Sequence, residues 1–377
     1  MEFQLYATCP DEVTELLAKE IESIGGTNIR TAYRVVYFDA SEEVYYKAHL
    51  HLRTASRIYR ILKSIPAQSP TIVFDKAKKI RFFELFSEKH PVTVEVVASN
   101  REGKIPCHLI GSKLREAIND SFQHNLKVTP NASSRDAVVG IAGFFHDNRL
   151  TVSIDTSLNS LHKRGFRIDG HPAPLKESLA AALLAVCEYK GTTDFFDPMC
   201  GSGTIVIEAA HIAMNRAPLM LRKKGEFGFE YLNDFNPELW HTIQERAREA
   251  EISPRVGLFA SDIEPEFVNL AKRTAMNCQI EKYIQFNTKD FFKIEKPSDC
   301  GTMIVNVPYG VRMADQNVSA DFLRAIGDHL KSNFKGWRCG ILAPLSAPLK
   351  AIGLKPNKQA KFLNGTVPVK LLVFDIY

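Results

Sequence analysis

Apolar residues recur along this chain with two periods, and the switches between them predict its elements. Residues 4–8 alternate as a strand. Pro10-Asp11 opens a helix with Val13, Leu16, Leu17, Ile21 and Ile24 at helical spacing, and Gly25-Gly26 ends it. Residues 33–39 read as a second strand and 41–49 as the start of another helix. Residues 52–62 alternate polar and apolar side chains, which predicts a strand with Arg53, Arg57 and Arg60 turned to solvent. Further on, 91–99 reads as a strand. Residues 111–125 read as a helix with Leu114, Ile118 and Phe122 inward and Lys113 and Arg115 outward. Residues 137–145 and 149–155 predict a hairpin across Asp147-Asn148.

The second half changes character. Residues 176–189 are helical and grade from amphipathic to apolar. Short apolar strands then alternate with helices at 205–210, 266–278 and 320–334, and the last strands lie at 339–344 and 367–377. An insertion at 214–255, punctuated by Pro218, Gly225, Gly228, Pro237 and Pro254, interrupts the series and carries a charged helix at 239–251. Its Phe227, Phe229, Tyr231 and Trp240 read as packing residues before base-stacking ones.

Candidate chemistry gathers at four strand ends. The run Asp197-Pro198-Met199-Cys200-Gly201-Ser202-Gly203-Thr204 leaves a strand through a glycine turn and enters a helix whose free N–H groups face the same space. The dinucleotide fingerprint fails at its third glycine, which is Val206. An acid such as Asp197 beside a helix N-terminus suits a ligand with a cationic amine better than a pyrophosphate, and S-adenosylmethionine has such an amine. Asp262, with Ile263, ends the next strand, where an acid can accept ribose hydroxyls. Asp290, Phe291 and Phe292 could hold an adenine amino group and pack on its ring. A fourth strand ends in Asn306-Val307-Pro308-Tyr309.

Charge adds a partner class. The net +5 conceals −6 over residues 1–46, +9 over 47–170 and +2 over 171–377. A basic middle segment suits a polyanion such as RNA, or is simply a solvated surface. Seven scattered cysteines, never as Cys-x-x-Cys, fit reduced thiols in the cytoplasm and suggest no metal site. No run of 18 apolar residues implies a membrane span, and the opening residues do not read as a signal peptide. The oligomeric state is not legible.

The glycine run, taken with Asn306-Val307-Pro308-Tyr309-Gly310, resembles the amino-methyltransferases that use S-adenosylmethionine. Over nearly all 377 residues the chain resembles, more narrowly, the THUMP-domain guanine-N2 methyltransferases of large-subunit ribosomal RNA, often labelled N6-adenine-specific DNA methylases. His162-Lys163-Arg164-Gly165-Phe166-Arg167, Ala173-Pro174-Leu175-Lys176-Glu177 and Asn215-Arg216-Ala217-Pro218 carry the resemblance further. The fold it implies is α/β: a Rossmann-like S-adenosylmethionine-dependent methyltransferase domain (175–377) preceded by a ferredoxin-like α/β region (1–65), a THUMP domain (66–155) and a connector (156–174). An antiparallel end strand is part of that expectation, with Leu175 to Glu177 at the cofactor's mouth. Arg53, Arg57, Lys113, Arg115, Lys163, Arg164 and Arg167 become candidate RNA contacts.

The activity so implied is methylation of the exocyclic N2 of a guanine in 23S ribosomal RNA. Asn306 and a backbone carbonyl, that of Val307, would accept the two amine N–H bonds; Pro308 would stiffen the loop and Tyr309 would stack on the base. One position departs from the family. Asn-Pro-Pro-Tyr is usual and Val307 replaces the first proline, which brings the loop closer to the ribosomal RNA adenine dimethylases. Adenine-N6 methylation of RNA or DNA, and a catalytically inactive RNA-binding assembly factor, are the alternatives.

Overall fold

In the computed structural model the strands form two seven-stranded sheets. The structure describes residues 2–99, 105–133, 135–168, 175–309 and 318–377. The end of the expected connector, including Ala173 and Pro174, and Gly310 of the fourth strand-end loop lie outside the described residues.

The first sheet is built from β1 (Glu2–Thr8), β2 (Thr27–Ala32), β3 (Val35–Ser41), β4 (Arg57–Pro66), β5 (Val92–Ala98), β6 (Val139–His146) and β7 (Arg149–Asp155). Its order is β2-β3-β1-β4-β7-β6-β5. Alternation sends Phe3, Leu5, Ala7, Val36, Phe38, Ile58, Val152 and Ile154 into the core. There they meet α1 (Thr14–Ser23), α2 (Glu42–His51), α3 (Pro70–Ala77), α4 (Phe82–Leu85) and α5 (Cys107–Leu126). β4 pairs with β1 on one side and β7 on the other, so the sheet runs unbroken across the boundary expected at residue 65. The β6–β7 hairpin turns through Asp147 and Asn148, both at positive φ (46° and 56°). That is the backbone a two-residue hairpin turn requires.

The second sheet holds β8 (Asp194–Asp197), β9 (Leu258–Asp262), β10 (Ile284–Thr288), β11 (Gly301–Asn306), β12 (Trp337–Pro344), β13 (Lys358–Asn364) and β14 (Val367–Asp375), in the order β10-β9-β8-β11-β12-β14-β13. Its helices are α6 (Glu177–Val186), α7 (Thr204–Ala213), α8 (Pro237–Glu249), α9 (Pro265–Asn277) and α10 (Ala320–Asn333). The first five strands in that order are parallel, and β14 runs antiparallel to β12 and β13, the reversed end strand expected. The chain steps from β8 to β9 on one side and later returns to β11 on the other. The resulting switch point opens a crevice beyond the strands' carboxyl ends.

Two expectations fail for stated reasons. The strand expected at 52–62 begins only at Arg57, so Arg53 sits in a turn facing inward. β2 and β13 went unpredicted because both are polar edge strands, held by backbone pairing and not by an apolar face. The insertion joins the two halves. Phe229 lies 4.8 Å from His49 and 5.2 Å from Tyr46, with Trp240 5.9 Å from Tyr46, all ring to ring. Arg222 donates to the carbonyls of Ser157, Asn159, Ser160 and Lys163, winding the connector around one guanidinium.

Candidate active site

The turn after β8 is fastened to β9. Cys200 N–H donates to Ser261 O at 2.9 Å, and Gly201 N–H donates to Asp262 Oδ2 at 2.9 Å. Asp262 Oδ1 accepts the Glu264 N–H at 3.2 Å. One carboxylate therefore shapes both loops that meet at the switch point. Gly203 sits at φ +80°, and a Cβ there would come within 2.9 Å of Ala271 Cβ on α9. Its missing side chain serves helix packing, not approach to a ligand as the glycine pair alone suggested.

These loops bound a cleft of about 430 Å³ lined by Pro198, Met199, Gly201, Asp262, Ile263, Asp290, Phe291, Asn306 and Pro308. Nine of the expected site residues thus converge from four strand ends. Glu264, Phe267, Phe292 and Phe322 also line it. Of these Phe292 stood in the sequence motif, whereas Phe322 gave no signal beyond its place in the first turn of α10. Asp290 caps the short turn after β10 by accepting the Phe292 N–H at 3.1 Å. Phe291 is buried against His329 at 4.8 Å, leaving the half-exposed Phe292 beside it.

Six expected residues, Val307 among them, do not line the cleft. Asp197 is fully buried beneath the loop, and Cys200, Gly203 and Thr204 lie behind it. Burial, with Asp197 and Asp262 nearby, pushes the Cys200 thiol well above its usual value, which keeps it protonated. Tyr309 is also buried, and its hydroxyl accepts a hydrogen bond from Asn364 Nδ2 at 2.7 Å, at the end of β13. Leu175 to Glu177 are not at the mouth of this cleft. Glu177 instead meets Arg167 at 3.0 Å in a separate cavity, where burial raises its carboxyl to about 7.

Two atoms at the β11 end have opposite fates. Val307 N–H donates to Leu342 O at 3.0 Å, extending the β11–β12 pairing by one residue. Asn306 is 6 % exposed and lines the cleft, yet its Oδ1 has no hydrogen-bond partner among the described residues. A buried acceptor left open costs about 1–3 kcal/mol, a strain offset when a donor arrives. The cleft therefore fits an adenosine-bearing ligand between its acids and aromatics, with an amine donor at Asn306.

The basic residues divide sharply. Arg164 is wholly buried, with Nε 3.3 Å from Glu208 Oε1 and further bonds to the Leu161 and Arg53 carbonyls. Arg53 donates to Arg216 O at 2.6 Å and lies 3.7 Å from the same glutamate. Neither reaches a surface ligand; a buried Glu208 on α7 requires both cations. Arg60 is likewise buried, on Asp234 at 2.6 Å. Arg115 folds back onto the Val92 carbonyl. Arg57 pairs with Asp155, Lys113 with Glu116 at 2.6 Å, and Lys163 extends into solvent. Among the described residues no cluster of His, Cys, Asp and Glu could hold a metal ion, and no helix is long and apolar enough to cross a membrane.

Comparison with known proteins agrees with this geometry. The chain is 32 % identical over 99 % of its length to the ribosomal RNA large subunit methyltransferase K/L of Shewanella oneidensis. It is 30 % identical over its whole length to the protein of the same name from Shewanella frigidimarina. The chain spans about half the length of the curated relatives it matches, 53 % in both cases. Among solved structures, SMU.472, assigned as a methyltransferase and crystallised as a complex with SAH, superposes with a TM-score of 0.88 at 26 % identity, covering 100 % of this chain and 98 % of that one. A predicted N6-adenine-specific DNA methylase from Listeria monocytogenes shares the fold with a TM-score of 0.88 at 24 % identity, over 100 % and 97 % of the two chains. Residues 4–59 match the RlmL ferredoxin-like domain. Residues 164–372, more than half of the chain, match the RMKL-like methyltransferase domain, and the chain belongs to that family.

Proposed function

We propose that the protein is an S-adenosylmethionine-dependent RNA methyltransferase acting on the exocyclic N2 of a guanine in large-subunit (23S) ribosomal RNA, and so works in the cytoplasm. The observation that carries this reading is the open Asn306 Oδ1, buried at the edge of a cleft with three acids and several aromatic rings. When bound, S-adenosylmethionine supplies an electrophilic methyl group. Asp262 and Asp290 are suited to its ribose and adenine ends, and Ile263, Phe291 and Phe292 to the faces of its ring. Asn306 Oδ1 accepts one N–H of the target amine. The carbonyl of residue 307, whose N–H is spent on Leu342, accepts the other.

An exocyclic amine is a weak nucleophile, since its lone pair is delocalised into the ring. Two acceptors that strengthen their hold as nitrogen becomes cationic assist it in the transition state. Pro308 restricts the loop, and positioning supplies much of the rate. A paired base would have to leave its stack to reach Asn306. We read residues 66–155 as the THUMP part, with Lys113 and Lys163 as RNA contacts.

The test is incubation of the protein with labelled S-adenosylmethionine and ribosomal RNA from a strain lacking it, followed by digestion to nucleosides. Label in N2-methylguanosine is expected. Label only in N6-methyladenosine would move the assignment to adenine, and no label with intact RNA binding would favour an assembly factor.

A further inference from the structure

Among the described residues, helices α1 to α5 pack on the face of the first sheet that carries Phe3, Leu5 and Ala7. Its other face carries a row of tyrosines in register across three strands: Tyr37 on β3 opposite Tyr6 on β1, and Tyr6 opposite Tyr59 on β4. Tyr6 and Tyr59 stack at 4.7 Å with their planes 13° apart, and Tyr37 lies 5.7 Å from Tyr6. Beyond them come small side chains, Thr151 on β7 and Ala142 on β6, and then Phe144 and Val97. Large rings on one side and small residues in the middle leave a cavity of about 290 Å³ on what would otherwise be a flat face. Val97 is 52 % exposed and Tyr33, on its rim, 76 %. Leaving such groups exposed without a partner is unfavourable.

We propose that this cavity is a stacking slot for one unpaired base of the RNA substrate. This rests on the RNA reading above and adds a place for recognition far along the chain from Asn306. The lining favours a nucleotide over a protein side chain. Aromatic faces bind any base through its π-face. The exposed Arg34 lines the slot and can meet the backbone phosphate, while the exposed Arg30 lies over the Tyr37 ring at 5.8 Å. Glu95, also in the lining, offers a carboxylate to the amino group of a base edge. A protein partner would be better served by aliphatic residues without charges set among the rings.

The experiment uses the full chain and a single-stranded oligoribonucleotide carrying 2-aminopurine, whose fluorescence is quenched on stacking. The intact protein should quench it. Tyr59→Leu and Phe144→Leu should each weaken binding about ten-fold and lose the quench, whereas Tyr59→Phe, which keeps the ring, should retain both. Affinity for S-adenosylhomocysteine, measured alongside, shows that each variant is folded. Leucine variants that bind RNA like the intact protein would overturn the slot and leave the RNA reading standing. An intact protein that binds no RNA would overturn both. A dimer of the intact protein that the leucine variants abolish would assign this face to a second copy of the chain and overturn the slot.

Discussion

Arg164 and Glu208 meet at 3.3 Å with both side chains wholly removed from solvent, one in the connector and the other on the helix that follows the glycine turn. Removing one partner of such a pair leaves a buried charge and costs about 3–5 kcal/mol. Arg164→Ala should therefore lower the unfolding free energy measured by urea titration by that amount while leaving the salt dependence of RNA binding unchanged. An Arg164 variant of full stability with a shallower salt slope would return the residue to the RNA surface. Glu208 also faces Arg53 at 3.7 Å, so the methyltransferase half cut free of residues 1–160 should not fold. It would lose Arg53 and expose Phe227, Phe229 and Trp240.

Lys163 is next to Arg164 but points to solvent, and it tests the RNA surface cleanly. Each phosphate contact releases counterions, so Lys163→Ala should reduce the slope of log affinity against log salt by about one. Filter binding across a salt series measures it, and an unchanged slope removes Lys163 from the interface.

These neighbours show what was legible in the sequence. Apolar periodicity located most helices and central strands because burial is periodic. Strand-end acids and the glycine turn located the cleft because they sit at fixed places in a doubly wound sheet. Arginines were misread because a run such as His162-Lys163-Arg164 does not say which cation faces a buried carboxylate. That depends on Glu208, 44 residues away from Arg164. The insertion's role was hidden in the same manner, since its aromatics find their partners on α2.

Asp262 joins the glycine loop to the ligand end of β9. Asp262→Ala should weaken S-adenosylmethionine binding by about 2–4 kcal/mol, through lost charge-assisted hydrogen bonds and a loosened Gly201. Calorimetry on the folded variant measures this, and unchanged affinity would separate Asp262 from the ligand.

His49 is buried between Tyr45 O at 2.8 Å and the Thr156 hydroxyl at 2.9 Å, and burial lowers its pKa to about 3. A neutral ring donates Nδ1–H to Tyr45 O and leaves Nε2 to share the one hydroxyl hydrogen of Thr156 with Ile58 O. The unfolded chain takes up a proton near the ordinary histidine value of about 6.5, while the folded one resists. This contribution is complete above that value and is lost as pH falls towards about 3. Against His49→Phe, the native protein should lose about 2 kcal/mol more between pH 7.5 and pH 5. Denaturant titrations at the two pH values give the difference. Glu177, whose carboxyl is raised to about 7, changes stability in the opposite sense, but it is common to both proteins and cancels.

Val307 stands where proline is usual, and the structure gives its backbone N–H a partner, Leu342 O at 3.0 Å. Its side chain is fully buried and does not line the cleft. The residue therefore tightens the end of β11 against β12, and a proline there would keep the same carbonyl, the second acceptor we propose for the amine. Val307→Pro should remove one strand-pairing hydrogen bond, worth about 0.5–1.5 kcal/mol, and leave the methylated base unchanged. Asn306→Ala should instead abolish methyl transfer while S-adenosylmethionine still binds, because it removes the side-chain acceptor proposed for the amine. The pair of variants separates the two roles by nucleoside analysis and calorimetry. A Val307→Pro protein that methylated a different base from the intact protein would show that this position chooses the base after all.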